Sequence, residues 1–194
     1  GVRAYGLGVI TAGLLGNDKA LKWVEGRRNW SVKLNDKKWN SPVWIHASSL
    51  GEFEQAKPLI EKIKSTSQQE IIVTFFSPSG YEYCKNYELA DGIFYLPLDT
   101  KRNAKVFLDA VNPSAAIFVK YDFWFNFLKE LQSRKVPTLF FSSNFRESQI
   151  YFKKVSGWQR SIMRNIDYIF CLNQQSANLL RKHDFANVGV SGVN

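Results

Sequence analysis

Residues 44–54 read WIHASSLGEFE and contain, in order, a strand, a turn and the start of a helix. The apolar residues from Trp44 suit a buried strand, residues 48–51 suit a turn, and an apolar helical pattern begins at Phe53. Glu52 therefore lies at a strand-to-helix junction. In open α/β sheets, such junctions at the carboxyl ends of the strands are where ligands bind.

The rest of the chain repeats this alternation of strands and helices. Seven segments rich in Val, Ile and Phe predict strands at residues 43–47, 70–76, 92–97, 115–119, 137–142, 167–172 and 187–192. Helical patterns occur at residues 53–64, 78–87, 100–111, 123–134, 157–166 and 174–183. Pro58 is expected to kink or delay the first helix. Continuous apolar strands are typical of parallel sheets buried on both faces, so the sequence predicts an α/β fold with a Rossmann-like, doubly wound, mainly parallel sheet.

Composition narrows the class of protein. A chain of 194 residues with 45% hydrophobic residues can bury one core and is not disordered. The two cysteines, Cys84 and Cys171, lie far apart in sequence, which favours reduced, buried thiols over a disulfide framework. The two histidines have no cysteine or histidine partner at ligand spacing. No metal site is therefore expected.

The net charge of +9 is concentrated in two segments. Residues 1–40 contain eight lysines and arginines against three acidic residues, and residues 145–165 contain five against one. This excess predicts a positive surface that faces phosphates of a nucleic acid, a nucleotide or an anionic lipid, with the two segments side by side. The alternative is that these side chains are solvated and aid solubility.

Residues 1–40 read as an amphipathic, basic, helical segment. Apolar residues recur at roughly helical spacing, at Leu7, Ile10, Leu14, Leu21 and Val24. Such a helix could lie on a membrane surface, and it could equally pack on its own domain. The apolar opening is too short to span a bilayer, so neither a transmembrane helix nor a signal peptide is expected.

Polar or small residues follow five of the predicted strands and should meet at one edge of the sheet. The five loops read ASSLGE, FSPSGYE, PLDTKR, KYDFWFN and SSNFRES. None contains the GxGxxG fingerprint or the Walker A lysine loop, which argues against a dinucleotide enzyme or a P-loop nucleotidase. The loops instead offer hydroxyls, backbone N–H groups at helix starts, an arginine and a few carboxylates.

The ordered set of motifs resembles a known family. HASSLGE, TFFSPSGYE, YLPLD, FVKYDFWFN, SSNFR and the terminal SGVN together resemble the N-terminal domain of the 3-deoxy-D-manno-octulosonic acid (Kdo) transferases. That family has a two-domain GT-B glycosyltransferase fold. The resemblance implies that residues 41–194 form a Rossmann-like, acceptor-binding domain and that a C-terminal nucleotide-sugar domain is absent from this chain. The chain alone is therefore expected to be inactive.

The resemblance also implies a reaction. Members transfer Kdo from CMP-Kdo to the lipid A precursor, an anionic glycolipid, in lipopolysaccharide biosynthesis at the cytoplasmic face of the Gram-negative inner membrane. They invert at the anomeric carbon and are metal-independent, so no cofactor is expected beyond the donor CMP-Kdo. The expected partners are the lipid A precursor and an anionic membrane surface, without nucleic acid. The alternatives are a GT-B domain for another sugar acceptor and a non-catalytic, basic, Rossmann-like module that binds nucleic acid.

Glu52 matches the glutamate that the family uses as catalytic base. Its position is also that of the glutamate in an S-x-x-E capping box that begins at Ser49, in which the carboxylate accepts a hydrogen bond from the cap residue's backbone N–H. The two roles can coexist, because a cap would hold the carboxylate in place and a helix N-terminus favours its ionised form.

Nine further residues are predicted to bind the acceptor through hydroxyls, backbone groups or charge: Ser48, Ser49, Gly51, Ser77, Ser79, Gly80, Lys120, Asp122 and Arg146. Lys120 and Asp122 occupy positions where many members carry two acidic residues, so the first acid is replaced by a base. Lys120 could meet a lipid phosphate or be solvated. Arg146 could clamp a phosphate in bidentate fashion or form a structural salt bridge. Trp124 could be a ligand platform or part of the core.

Overall fold

The computed structural model describes residues 17–120, 123–149, 152, 161, 163–164 and 166–191. The strands are β1 (Val43–Ala47), β2 (Ile71–Phe75), β3 (Gly92–Tyr95), β4 (Ala115–Val119), β5 (Thr138–Ser143), β6 (Tyr168–Cys171) and β7 (Val188–Val190). The helices that are fully described are α1 (Asp18–Gly26), α2 (Trp30–Asn35), α3 (Leu50–Thr66), α4 (Pro78–Cys84), α5 (Lys101–Val111), α6 (Phe125–Ser133) and α7 (Gln174–Lys182). The helix predicted at residues 157–166 lies largely outside the described residues.

All seven strands pair in parallel in one sheet, in the order β3-β2-β1-β4-β5-β6-β7. The chain first builds one half of the sheet outward from β1 to β3. It then crosses back through α5 to place β4 on the other side of β1 and builds the second half. This order is that of a doubly wound Rossmann-like sheet, so the predicted fold class is confirmed.

Both faces of the sheet are covered by helices. On one face, Trp44 of β1 and Phe118 of β4 pack with apolar residues of α5 and α6 such as Phe107 and Phe127. On the other face, a second cluster contains Ile45 of β1, strand residues of β2, and Phe53, Ala56 and Ile60 of α3. Adjacent strand residues thus face opposite clusters, which explains why the strand sequences are apolar without alternation.

Helix α3 differs from its prediction. It begins at Leu50 rather than Phe53 and runs past Pro58 to Thr66, so the proline does not delay its start. A proline inside a helix costs about 3 kcal/mol, because it removes a backbone hydrogen bond and crowds the preceding turn. Phe53, Ala56 and Ile60 are fully buried against the sheet, and this packing outweighs that cost.

Part of the basic N-terminal segment packs on the domain. Trp23 of α1 and Leu34 of α2 are buried, whereas Leu21 is exposed. The Arg27 guanidinium donates hydrogen bonds to the carbonyls of Phe76 and Leu96, which follow β2 and β3, and lies over the Trp23 ring. Described residues from 17 onward therefore support the alternative of a helix packed on its own domain. Leu7, Ile10 and Leu14 lie outside the described residues.

Two further predictions concern the membrane and the basic surface. Within the described ranges, no helix is long and apolar enough to span a bilayer. Most of residues 145–165 lie outside these ranges. The idea that this segment and residues 1–40 form one positive surface therefore stays a prediction.

The cysteines are buried free thiols, as predicted. Cys84 is the last residue of α4 and belongs to one core cluster, and Cys171 is the last residue of β6 and belongs to the other. Burial raises the pKa of each thiol to about 11. A thiol that stays protonated is a poor nucleophile, which suits a structural role for both residues.

Gly80 and Gly51 make a matched pair for testing how closely α4 approaches the sheet. A Cβ at Gly80 would lie 2.6 Å from Phe75 Cδ1 and 3.1 Å from the backbone nitrogen of Leu50, whereas a Cβ at Gly51 would meet nothing within 4 Å. We expect Gly80→Ala to lower the free energy of unfolding by about 1–3 kcal/mol through overpacking. Gly51→Ala should raise it by up to about 1 kcal/mol through helix propensity. Urea unfolding of both variants measures this, and equal effects would contradict the close approach at Gly80.

Candidate active site at the carboxyl edge of the sheet

The site lies where the strand order reverses, between β1 and β4. From β1 the chain enters α3, which packs on one face of the sheet, and from β4 it enters α6, which packs on the other face. In doubly wound sheets, connections that leave such a reversal on opposite faces diverge and leave a crevice at the carboxyl ends of the two strands. In doubly wound sheets, this is the position where ligands bind.

Glu52 lies in the first turn of α3 at this crevice and is 8% exposed. Its Oε2 accepts a hydrogen bond of 2.6 Å from the backbone N–H of Ser48. Its Oε1 lies 3.9 Å from Nζ of Lys120. The carboxylate is therefore held by the loop after β1 and approached by a charge from the loop after β4.

The capping box takes a shifted form. Ser49 is the N-cap residue of α3, but its side chain makes no capping hydrogen bond. Glu52 returns to the N–H of Ser48, one residue before the cap, instead of the N–H of Ser49. The carboxylate thus has a backbone partner, as a cap requires, while it lies at the edge of the sheet where a base is predicted. The two roles do not exclude each other.

Ser48 connects three parts of the site. Its N–H donates to Glu52, its carbonyl accepts a hydrogen bond of 2.9 Å from the N–H of Ser77, and its Oγ lies 3.1 Å from Nε2 of His46. The loops after β1 and β2 are therefore tied together at this residue. Ser77 is in turn the N-cap residue of α4, and its Oγ lies 2.8 Å from Oγ of Ser79.

His46 is a site residue for which sequence reasoning found no role. It is 1% exposed, and its Nδ1 lies 2.9 Å from Oγ1 of Thr74, which also accepts a hydrogen bond from Nε1 of Trp44. Burial lowers the pKa of His46 to about 3, opposed by the backbone of Thr74 and aided by the charge of Arg27. The imidazole is therefore neutral at physiological pH. The sequence contained one signal for this pair: His46 and Thr74 are polar residues inside the otherwise apolar strands β1 and β2.

Lys120 directly follows β4 and has an unusual backbone conformation. Its φ of 64° places it in the left-handed region, which few residues other than glycine adopt. The neighbouring strand holds it there: its N–H donates to the carbonyl of Phe141, and its carbonyl accepts from Oγ of Ser143 at 2.5 Å. This conformation accompanies the approach of the side chain to Glu52.

The other predicted residues divide between the crevice and its surroundings. Gly51 is exposed in the first turn of α3, and Gly80 is buried beneath the start of that helix. Trp124, at the start of α6, is half-buried and packs edge-on against His46, with ring centroids 5.2 Å apart. Asp122 lies outside the described residues.

Arg146 does not join this group. It is exposed in the loop after β5, two strands from β1, which corresponds to roughly 10 Å at ordinary strand spacing. It lines a polar cavity of about 540 Å³ with residues that include Asn144, Asn173 and Lys182. In the described part of the chain, no carboxylate pairs with its guanidinium, whereas Lys182 pairs with Glu147 at 2.9 Å.

Asp99 in the third loop has a structural partner. Its Oδ1 accepts hydrogen bonds from the backbone N–H groups of Asn126 and Phe127 and so caps α6. Burial raises the pKa of this carboxyl group despite those bonds. Asp99 therefore fixes the helix that forms one wall of the crevice.

A sequence model of the 3-deoxy-D-manno-octulosonic-acid transferases, or kdotransferases, matches residues 22–193. The chain belongs to this family. The 3-deoxy-D-manno-octulosonic acid transferase of Aquifex aeolicus is 35% identical over 83 residues, which cover 42% of this chain and 23% of that protein. The corresponding transferase of Chlamydia trachomatis is 28% identical over 156 residues, which cover 77% of this chain and 34% of that protein.

The matched part of the chain thus spans between about a fifth and about a third of the length of these relatives. A bifunctional glycosyltransferase/methyltransferase of Fusobacterium nucleatum is 25% identical over 144 residues, 72% of this chain and 22% of that protein. Among solved structures, the S. aureus MnaA–UDP structure has a TM-score of 0.60 at 14% identity, and the match covers 79% of this chain and 45% of the MnaA chain. A UDP-GlcNAc 2-epimerase from Neisseria meningitidis has a TM-score of 0.56 at 14% identity, and the match covers 77% of this chain and 46% of the epimerase chain. At this identity, the likeness shows a shared fold.

The neutral His46 makes a pH-dependent contribution to stability. Because its folded pKa of about 3 lies below the ordinary value of 6.5, only the unfolded chain takes up a proton between these values. Stability from this residue is complete above about pH 6.5 and falls as the pH is lowered, by about 1.4 kcal/mol per pH unit.

Urea unfolding between about pH 7 and about pH 5 measures this loss, with His46→Gln as the control that removes the titrating group. The wild-type protein should lose more stability than the variant over this range, while carboxylates contribute equally to both. Parallel losses would show that His46 takes up a proton in the folded protein.

Lys120 allows its strain and its charge to be tested separately. Lys120→Gly should raise the free energy of unfolding by roughly 0.5–1 kcal/mol, because relief of the left-handed strain outweighs the larger entropy that glycine loses. Lys120→Met keeps the strain and removes the charge, and it should stay within about 0.5 kcal/mol of the wild type, since a partly exposed ion pair at 3.9 Å contributes little. If both variants unfold at the same urea concentration, the conformation of Lys120 is not strained.

Proposed function

We propose that the protein containing this chain transfers Kdo from CMP-Kdo to the lipid A precursor in lipopolysaccharide biosynthesis, with Glu52 as the base. Family membership supports the reaction class, and one structural observation supports the residue. The carboxylate of Glu52 lies at the reversal point of the sheet, held from one side by the loop after β1 and approached from the other by Lys120. This is where a doubly wound sheet binds its ligand.

The proposed chemistry is an inverting transfer without a metal. The acceptor hydroxyl attacks the anomeric carbon of Kdo, Glu52 takes the hydroxyl proton as the new bond forms, and CMP leaves from the opposite face. A base must be ionised to do this. The backbone N–H of Ser48, the N-terminus of α3 and the nearby ammonium of Lys120 all favour the carboxylate form.

Donor binding is assigned to the remainder of the protein, because this chain spans only a fifth to a third of its relatives. In the described domain, the hydroxyls of Ser48, Ser49 and Ser77 lie on the loops after β1 and β2, and that of Ser79 lies in the first turn of α4, where they can meet sugar hydroxyls. The charges of Lys120 and Arg146 suit phosphate groups of an anionic glycolipid. We assign the protein to an anionic membrane surface at the cytoplasmic face of the inner membrane, because the acceptor lies there.

Glu52→Gln separates the base from the cap. The amide oxygen of Gln can still accept the hydrogen bond from Ser48, so the melting temperature should stay close to that of the wild type. Turnover should fall by about a hundredfold to ten-thousandfold, the usual loss when a general base is removed. The measurement is Kdo transfer from CMP-Kdo to the lipid A precursor by the full-length protein, together with its thermal unfolding.

Glu52→Ala is the matched control, because it removes the base and the cap together and should lower both turnover and melting temperature. Near-normal turnover by Glu52→Gln would reduce this residue to a helix cap. If the wild-type protein transfers no Kdo but uses another nucleotide sugar, the assigned substrate is wrong and the glycosyltransferase class remains.

A further inference from the structure

The carboxylate of Glu52 accepts a hydrogen bond from the backbone N–H of Ser48. The side chain of Ser48 in turn contacts the buried His46. We propose that His46 is a positioning residue, which acts through Ser48 to fix the carboxylate of Glu52 in its reactive orientation. This inference rests on the proposed function. It adds a positioning role for His46, a residue of β1. His46 itself is 1% exposed, so it acts on substrate only through its neighbours.

The ring of His46 uses both nitrogens. Nδ1 lies 2.9 Å from Oγ1 of Thr74 on β2, and Nε2 lies 3.1 Å from Oγ of Ser48. In either tautomer, a neutral imidazole donates through one nitrogen and accepts through the other, so both contacts are satisfied without a charge. His46 and Thr74 are partners in the parallel register of β1 and β2, which fixes the Nδ1 side of the ring.

Aromatic rings prevent the imidazole from turning. Phe118 of β4 and Trp124 at the start of α6 pack edge-on against it, with ring centroids 5.8 Å and 5.2 Å from that of His46. Nε2 therefore presents a fixed partner to Ser48. Ser48 is also the residue whose backbone N–H donates the hydrogen bond of 2.6 Å to Oε2 of Glu52.

This connection bears on turnover because proton abstraction depends on the geometry of the base. A misplacement of about 1 Å, caused by a residue away from the chemistry, can cost about a hundredfold in rate. If Ser48 loses its contact with Nε2, it loses one of the hydrogen bonds that hold it, and the peptide that carries its N–H can tilt. The carboxylate of Glu52 then loses its orientation while the fold remains.

Two amide substitutions separate positioning from structure. The amide group of His46→Gln lies near the place of Nε2 and can still reach Ser48, whereas that of His46→Asn lies near the place of Nδ1 and reaches only Thr74. Both bury an amide in place of an imidazole, so a merely structural role predicts equal losses. We expect His46→Asn to lower kcat by about a hundredfold with KM nearly unchanged, and His46→Gln to lower kcat by less than about tenfold.

A double variant tests whether His46 acts through Glu52. Added to Glu52→Gln, His46→Asn should cause no further loss of turnover, because the base that it positions is already absent. An additive loss would overturn the proposal, as would equal kcat values for the Gln and Asn variants. Should both His46 variants fail to fold, Ser48→Ala removes the same contact from the other side and is expected to show the same loss of kcat.

A measurement without substrate distinguishes failure of this inference from failure of the proposed function. The short hydrogen bond from Ser48 N–H to a carboxylate should move its amide proton resonance downfield in serine-labelled full-length protein. His46→Asn should move this resonance upfield, and His46→Gln should leave it near the wild-type position. If the wild type transfers no Kdo, the proposed function is wrong, and an unchanged Ser48 resonance in His46→Asn would overturn the positioning role independently.

Discussion

The parallel pairing of β1 with β4 is the constraint on which the site depends. After β1, the chain forms β2 and β3 on one side of that strand. It then crosses back through α5 and adds β4 on the other side. The helices that follow β1 and β4 then cover opposite faces, and their connections must diverge. The crevice that results brings Glu52 from one connection near Lys120 from the other.

Satisfied polar groups beneath the crevice give the site its rigidity. Trp44, Thr74 and His46 form a chain of hydrogen bonds inside an otherwise apolar layer, and Ser48 extends that chain to the surface. Buried polar groups that lose a partner are expensive, so this arrangement resists displacement. The ion pair of Lys120 and Glu52 is longer and partly exposed and contributes less than about 1 kcal/mol, so hydrogen bonds rather than charge attraction hold the carboxylate.

Strands were predicted more accurately than helices. The limits of β1 and β4 match the predicted residues, because buried parallel strands are continuous apolar segments bounded by turns. The start of α3 was misplaced by three residues, and the effect of Pro58 on it was overestimated. Local rules assign a proline its helix-breaking cost but not the packing of Phe53 and Ile60 that offsets it, which depends on the sheet beneath.

The sequence by itself determined the fold class and the position of Glu52 at a strand-to-helix junction, because burial patterns and turn preferences depend on residues that are neighbours in the chain. Only the tertiary structure decided which side chains meet there. The approach of Lys120 requires β1 and β4 to be neighbours, the contact of His46 with Thr74 requires the register of β1 on β2, and Arg146 is separated because its strand lies farther along the sheet. Strand order is set by crossover connections between distant segments, and no local pattern encodes it.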